Sequence, residues 1–130
     1  MLVILVAIGG AVGSVARLVL STVIQQRAGA GIPVGTLVVN VAGGLIIGFI
    51  LRYSLGSTSI GAEGRALLAS GFCGGFTTFS AFSYETLGLI ESGDYRRAAV
   101  YVVSSVALSL IATFAGIAIA KEVLVARHGG

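Results

Sequence analysis

Few residues in this chain could carry chemistry, and most of them stand inside apolar runs. Asn40 closes the segment Gly35-Thr36-Leu37-Val38-Val39-Asn40, four residues after Thr36, so the two share one helix face. Tyr101, Ser105, Ser109 and Thr113 recur at intervals of four, a polar stripe three turns long. Ser80 and Ser83 add hydroxyls, and Glu85 is the one candidate acid within a span. A single hydroxyl can bond back to its own helix and means little. A continuous stripe with an amide nearby faces a pathway or a partner helix, because polar groups are costly in an apolar medium. Hydroxyls and an amide donate hydrogen bonds, and Arg17 adds a cation, whereas no ring of carboxylates is present to attract cations. That inventory suits a small anion. Phe79 and Phe82, three apart, lie on one side of the same helix. Such rings usually serve as apolar bulk, but their edges carry positive potential and can meet an anion without a full charge.

The segment from Gly71 to Ser83 holds three glycines, two threonines and two serines in thirteen residues, a poor helix composition in the middle of an apolar run. The sequence places a helix break at Gly74-Gly75. Non-helical backbone at membrane depth is tolerated only where protein or a water-filled cavity surrounds it. Freed carbonyls and half-helix ends can then bind ions. A kink that binds nothing is the competing reading, and composition alone does not separate the two.

These residues must be positioned by membrane helices. The chain has 130 residues, 56% hydrophobic and only 10% charged, with twenty glycines and one proline. Soluble domains carry roughly 25% charged residues, so eight bases and five acids cannot clothe a water-facing surface. A formal charge of +3, scattered along the chain, makes no nucleic-acid footprint. The single cysteine, Cys73, excludes an internal disulfide framework and a thiolate-rich metal site. His128, the only histidine, stands beside Gly129 and Gly130 and reads as a solvated tail residue. No catalytic triad or carboxylate pair can be assembled, so an enzyme is not expected.

Each bilayer span takes about 20 apolar residues, and four fit this length. The runs are Leu2 to Ile24, Val34 to Tyr53, Ala62 to Ile90 and Tyr95 to Val125. Pro33 opens the second, where its missing N–H is tolerated. The first run has no basic residue before it and reads as a retained span rather than a signal peptide. The whole chain, 1–130, is expected to be one all-α, four-helix transmembrane domain. Gly9 and Gly13, like Gly44 and Gly48, are four apart, the spacing that lets membrane helices approach closely. Arg52, Arg65, Lys121 and Arg127 fall on one side of the membrane; Arg27, Arg96 and Arg97 fall on the other, with Arg17 nearer to them. The positive-inside rule therefore has almost no excess to act on. Insertion in both orientations, which would permit an antiparallel dimer, and a topology fixed by other factors both remain open.

The run Gly74-Gly75-Phe76-Thr77-Thr78-Phe79-Ser80-Ala81-Phe82-Ser83-Tyr84-Glu85 resembles the signature of the Fluc/CrcB fluoride channels. So do Gly35-Thr36-Leu37-Val38-Val39-Asn40-Val41-Ala42-Gly43 and Gly9-Gly10-Ala11-Val12-Gly13-Ser14-Val15-Ala16-Arg17, in order and with matching spacing. The resemblance implies a dual-topology antiparallel homodimer in the inner (plasma) membrane, surrounded by lipid, with four helices per subunit and two fluoride pathways that passively export fluoride from the cytoplasm. It implies that Phe79 and Phe82 face the ion, that Asn40 is the pore asparagine, and that Arg17 lies near the entrance vestibule. Ser80, Ser83, Tyr101, Ser105, Ser109 and Thr113 fall on or near the polar track. Gly74 and Thr77 match positions whose carbonyls, from both subunits, hold a structural sodium ion (Na+) at the dimer centre, where a two-fold axis would double any ligand set. Ala81 departs from the pattern, since many relatives have threonine there; a side-chain ligand is missing at that position.

Two other readings compete. A small proton-coupled exporter of organic cations also has four short helices, but needs a membrane-embedded acid in the first helix, where this chain has none. A non-conducting assembly subunit would need only the small-residue faces.

Overall fold

The computed structural model describes residues 1–128. Its elements run α1 (Leu2–Ala28), α2 (Val34–Leu55), α3 (Ala62–Arg65), a π-helix (Ala66–Cys73), α4 (Gly74–Phe76), α5 (Phe79–Glu91) and α6 (Tyr95–His128). There is no strand among the described residues. Four helical stretches are long and apolar enough to cross a membrane: Leu2–Ala28, Val34–Leu55, Ala62–Glu91 and Tyr95–His128. The fold is therefore all-helical with four candidate spans.

The ends of these helices follow local chemistry. Gln25 runs the first helix a turn further than its polar loop suggested, because its side-chain amide holds the loop in place. Its Nε2 donates to the Gly29 carbonyl at 2.8 Å, and its Oε1 accepts from Gly35 N–H at 3.0 Å, which secures the start of α2. Gly93 ends α5 at a φ of 82°, a left-handed conformation that glycine adopts without penalty. The bonds from Gly93 N–H to Ile90 and from Asp94 N–H to Leu89, 3.0 and 2.9 Å, complete a Schellman stop.

Two small-residue seams hold the helices together. A Cβ at Gly13 would collide with the Phe72 carbonyl, and one at Gly48 with the Thr113 carbonyl. Thus α1 lies backbone to backbone on the π-helix, and α2 lies likewise on α6. Dispersion contacts at this range supply the packing that lipid cannot drive by hydrophobicity. Outward from the seams, Val3, Ile8, Val12, Val15, Leu110, Ile111 and Phe114 remain exposed on α1 and α6. His128 differs from the sequence reading: it belongs to the end of α6, where Nε2 lies 3.3 Å from the Gly56 carbonyl. Gly129 and Gly130 lie outside the described residues.

Candidate functional site

The third span is broken, but not where the glycines suggested. Gly74 and Gly75 are helical, and the chain leaves the helix at Thr77 (φ −88°, ψ 158°) and Thr78 (φ −150°, ψ 119°). Gly75 serves another end: a Cβ there would stand 2.5 Å from the Gly10 carbonyl and 3.0 Å from Ser14 Oγ. It allows α1 to approach, and the threonines make the break. Before it, the helix has widened into the π-helical turns of Ala66–Cys73, which composition did not signal.

Side chains from other elements hold the break open. Asn40 clasps Thr78 at two points: its Nδ2 donates to the Thr78 carbonyl at 3.1 Å, and its Oδ1 accepts from the Thr78 N–H at 2.7 Å. In a continuous helix that N–H would have bonded Gly74. Thr78 Oγ1 accepts from Ala81 N–H at 3.1 Å and so caps α5, taking the donor that would have bonded Thr77. Arg17 Nε donates to the Gly75 carbonyl at 3.0 Å. The carbonyls of Gly74 and Thr77 thereby lose their helical partners. Carbonyl oxygens released at the end of a helix are hard, partly negative donors, which fits the alkali cation that these positions were expected to hold.

On the other side of the break lies an open groove of about 290 Å³, lined by Asn40, Thr77, Thr78, Phe79, Phe82, Ser105, Val106 and Ser109. The start of α5 opens onto it, with the positive end of that helix facing any occupant. Ser105 is buried, and its Oγ has no partner. An uncompensated buried hydroxyl is costly, so this group is available to a ligand. Phe79 is 80% exposed and tilts against Phe82 at 5.6 Å between ring centres, while Phe82 meets Tyr101 at 5.2 Å. The groove contains no carboxylate.

Tyr101 is fully buried and joins a node absent from the expected track. Its hydroxyl donates to Glu85 Oε1 at 3.2 Å, and Thr36 Oγ1 donates to Oε2 at 3.1 Å. Glu85 thus receives one hydroxyl on each oxygen. A polar cavity of about 450 Å³ adjoins it, lined by Ser21, Thr22, Gln25, Gln26, Gly35, Thr36 and Glu85. The sequence carried a signal for this node, since an acid within a span needs donors and Thr36 shares a face with Asn40.

The structure therefore brings Asn40, Phe79, Phe82, Ser105 and Ser109 together and sets Tyr101 beside them. Thr113 lies further along α6, donates to the Ser109 carbonyl at 2.9 Å, and lines a separate groove with Gly48 and Arg52. Ser80 and Ser83 are exposed outside the main groove: Ser80 pairs with Thr78 Oγ1 at 3.2 Å, and Ser83 bonds back to the Phe79 carbonyl at 2.9 Å. Arg17 is half-buried on the far side of the break, against Gly75. Among the described residues no group of three or more His, Cys, Asp or Glu side chains could hold a metal ion.

Comparison with known proteins covers nearly all of this architecture. The sequence profile described as "CrcB-like protein, Camphor Resistance (CrcB)" matches residues 4–117. A protein of Geobacter sulfurreducens named fluoride-specific ion channel FluC is 48% identical over 117 residues, 90% of this chain and 94% of its own. Proteins of the same name from Rhizobium meliloti and Aquifex aeolicus are 42% and 41% identical, over 94% and 85% of this chain and 98% and 90% of theirs. Both seams, the broken third span, Asn40 and the two phenylalanines fall within the matched residues, and on that match the chain belongs to the CrcB-like family.

Proposed function

We propose that this protein is a fluoride-selective channel of the inner membrane, through which fluoride leaves the cytoplasm passively and its toxicity is reduced. The observation that carries the reading is the groove at the break. It gathers an amide, four hydroxyl side chains, two aromatic rings and a helix N-terminus, without a carboxylate, in a chain whose relatives bear the name of fluoride-specific channels.

Fluoride is small and strongly hydrated, so a pathway must replace its water with donors fixed in advance. Asn40 is held by both of its bonds to Thr78, and its second amide hydrogen remains to meet an anion. Ser105 offers an uncommitted hydroxyl. The electropositive edges of Phe79 and Phe82 supplement these donors without adding a charge that would trap the ion. Arg17 raises the local anion concentration from the side of the break where it lies.

The working unit in this reading is an antiparallel homodimer with two pathways, embedded in lipid. The exposed ring of Phe79 supports a second copy, since it stands at the mouth of the groove with little of its own chain to cover it. The near-equal distribution of bases supports insertion in both orientations. At the dimer centre the carbonyls of Gly74 and Thr77 from each subunit would hold a structural sodium ion, which neutralises the carbonyl ends of the broken helices.

The test is ion efflux from liposomes containing the purified protein. Fluoride should leave down its gradient, chloride should be retained, and no proton gradient should be needed. Proton-linked export of an organic cation, or the absence of any flux, would overturn the proposal.

A further inference from the structure

Each carbonyl from Gly74 to Thr77 has lost the helical donor four residues later, but only one of them has found a replacement. Gly75 O accepts from Arg17 Nε at 3.0 Å. Two of the donors they would have met are engaged elsewhere, Thr78 N–H by Asn40 and Ala81 N–H by Thr78 Oγ1. Arg17 reaches its carbonyl from a face of α1 built for that approach. Gly10, Ser14 and Arg17 follow one another by four and three residues, and the first two lie against Gly75 itself. The helix ending at Phe76 presents its negative end here, and an arginine at a helix C-terminus is favoured by both charge and hydrogen bonding.

We infer that Arg17 is a positioning residue for the central cation site: by occupying Gly75 O through Nε, it withdraws that oxygen and fixes the backbone so that Gly74 and Thr77 present theirs. The inference rests on the sodium reading given above and adds a role to an arginine otherwise expected to serve only the anion. Gly74 is the last-turn residue before Gly75 and Thr77 is the first extended residue after the helix, so the two flank the carbonyl that Arg17 engages. Were Gly75 O free, the turn would have an additional oxygen and a looser backbone, and its preference among alkali cations would broaden.

Two substitutions separate the bond from the charge. In Arg17→Gln the amide nitrogen stands at the same distance along the side chain as Nε, so the donor is kept and the charge lost. In Arg17→Lys a methylene replaces Nε, so the charge is kept and that donor lost. The measurement is thermal unfolding of the purified, full-length protein titrated with NaCl, with LiCl, KCl and N-methylglucamine chloride as comparisons. The parent should be stabilised most by Na+. Arg17→Gln should keep the half-saturating Na+ concentration within about threefold, while Arg17→Lys should raise it at least tenfold or lose the preference over Li+ and K+. The reverse pattern would overturn the inference and leave Arg17 acting by charge, and parental Na+ titrations in both variants would overturn it by showing that neither the bond nor the charge of Arg17 bears on the site. A parent whose stability ignores Na+ while fluoride flux persists would overturn both the sodium site and this role, and leave the channel reading standing.

Discussion

Asn40→Ala is the sharpest test of how the break is held. The substitution removes two hydrogen bonds, of 3.1 and 2.7 Å, and leaves both the N–H and the carbonyl of Thr78 without a partner. A fully buried backbone group stranded in this way costs about 1–3 kcal/mol; Thr78 is half-buried beside an open groove, so the loss from both groups together should be about 1–3 kcal/mol. Asn40→Asp divides the two functions of the side chain. It keeps an oxygen to accept from Thr78 N–H, but it sets its second oxygen against the Thr78 carbonyl to which the amide donated, and it places an ionised carboxylate in the groove. At about 4 Å and an effective dielectric constant near 20, repulsion of an anion is on the order of 4 kcal/mol, close to a thousandfold in occupancy. The assays are unfolding free energy in mixed micelles and fluoride efflux from liposomes. Asn40→Ala should be destabilised, and Asn40→Asp should be less stable than the parent and nearly silent in flux. An Asn40→Ala variant within about 0.5 kcal/mol of the parent would show that the clasp does not hold the break, and the argument built on it would fall.

Phe79→Leu and Phe82→Leu should each lower fluoride flux roughly two- to tenfold while the protein still assembles, the range expected if each ring edge contributes about 0.5–1.5 kcal/mol to the ion; parental flux in both would reduce the rings to packing. Ser57→Cys, in a chain whose native Cys73 is 1% exposed, should be labelled from both sides of the same membrane; one-sided labelling would refute dual topology. Gly48→Ala should destabilise the fold by about 1–3 kcal/mol, because the new Cβ meets the fixed Thr113 carbonyl rather than a side chain that can turn away. Unchanged thermal stability would mean that α2 and α6 can separate freely.

Much of this was legible in the sequence because membrane helices write themselves plainly. The four apolar runs and the seam glycines all appear where length, hydropathy and spacing put them. The face shared by Thr36 and Asn40 likewise survives, since a helical period relates them directly. The position of the break was misread because glycine pairs have two uses, conformational release and close approach, and local composition does not say which. Only the neighbouring α1 decides it, by placing Gly10 and Ser14 against Gly75. The clasp of Asn40 on Thr78 was equally hidden, and the node at Glu85 was signalled by its acid but not by its partners, as both join residues far apart in the chain. The polar stripe of α6 was read correctly as a line, but its members do different work: Ser105 is uncommitted and Thr113 is bonded to its own helix.

The π-helical turns of Ala66–Cys73 have an evolutionary consequence. A π-helix is rarely stable by itself, and here it is seated against Gly9 and Gly13, where any side chain would strike the backbone of Leu67 or Phe72. Its winding sets the angular phase at which everything after it emerges, including Gly75 before Arg17 and Thr78 before Asn40. The first helix and the third are thus inherited as a single mechanical part. Drift at Gly9 or Gly13 would rotate a site more than a turn away, and lineages that accept a larger residue there should carry a compensating change within 66–73. Across relatives these positions should change together or remain fixed together, even though none of them lines the groove at the break.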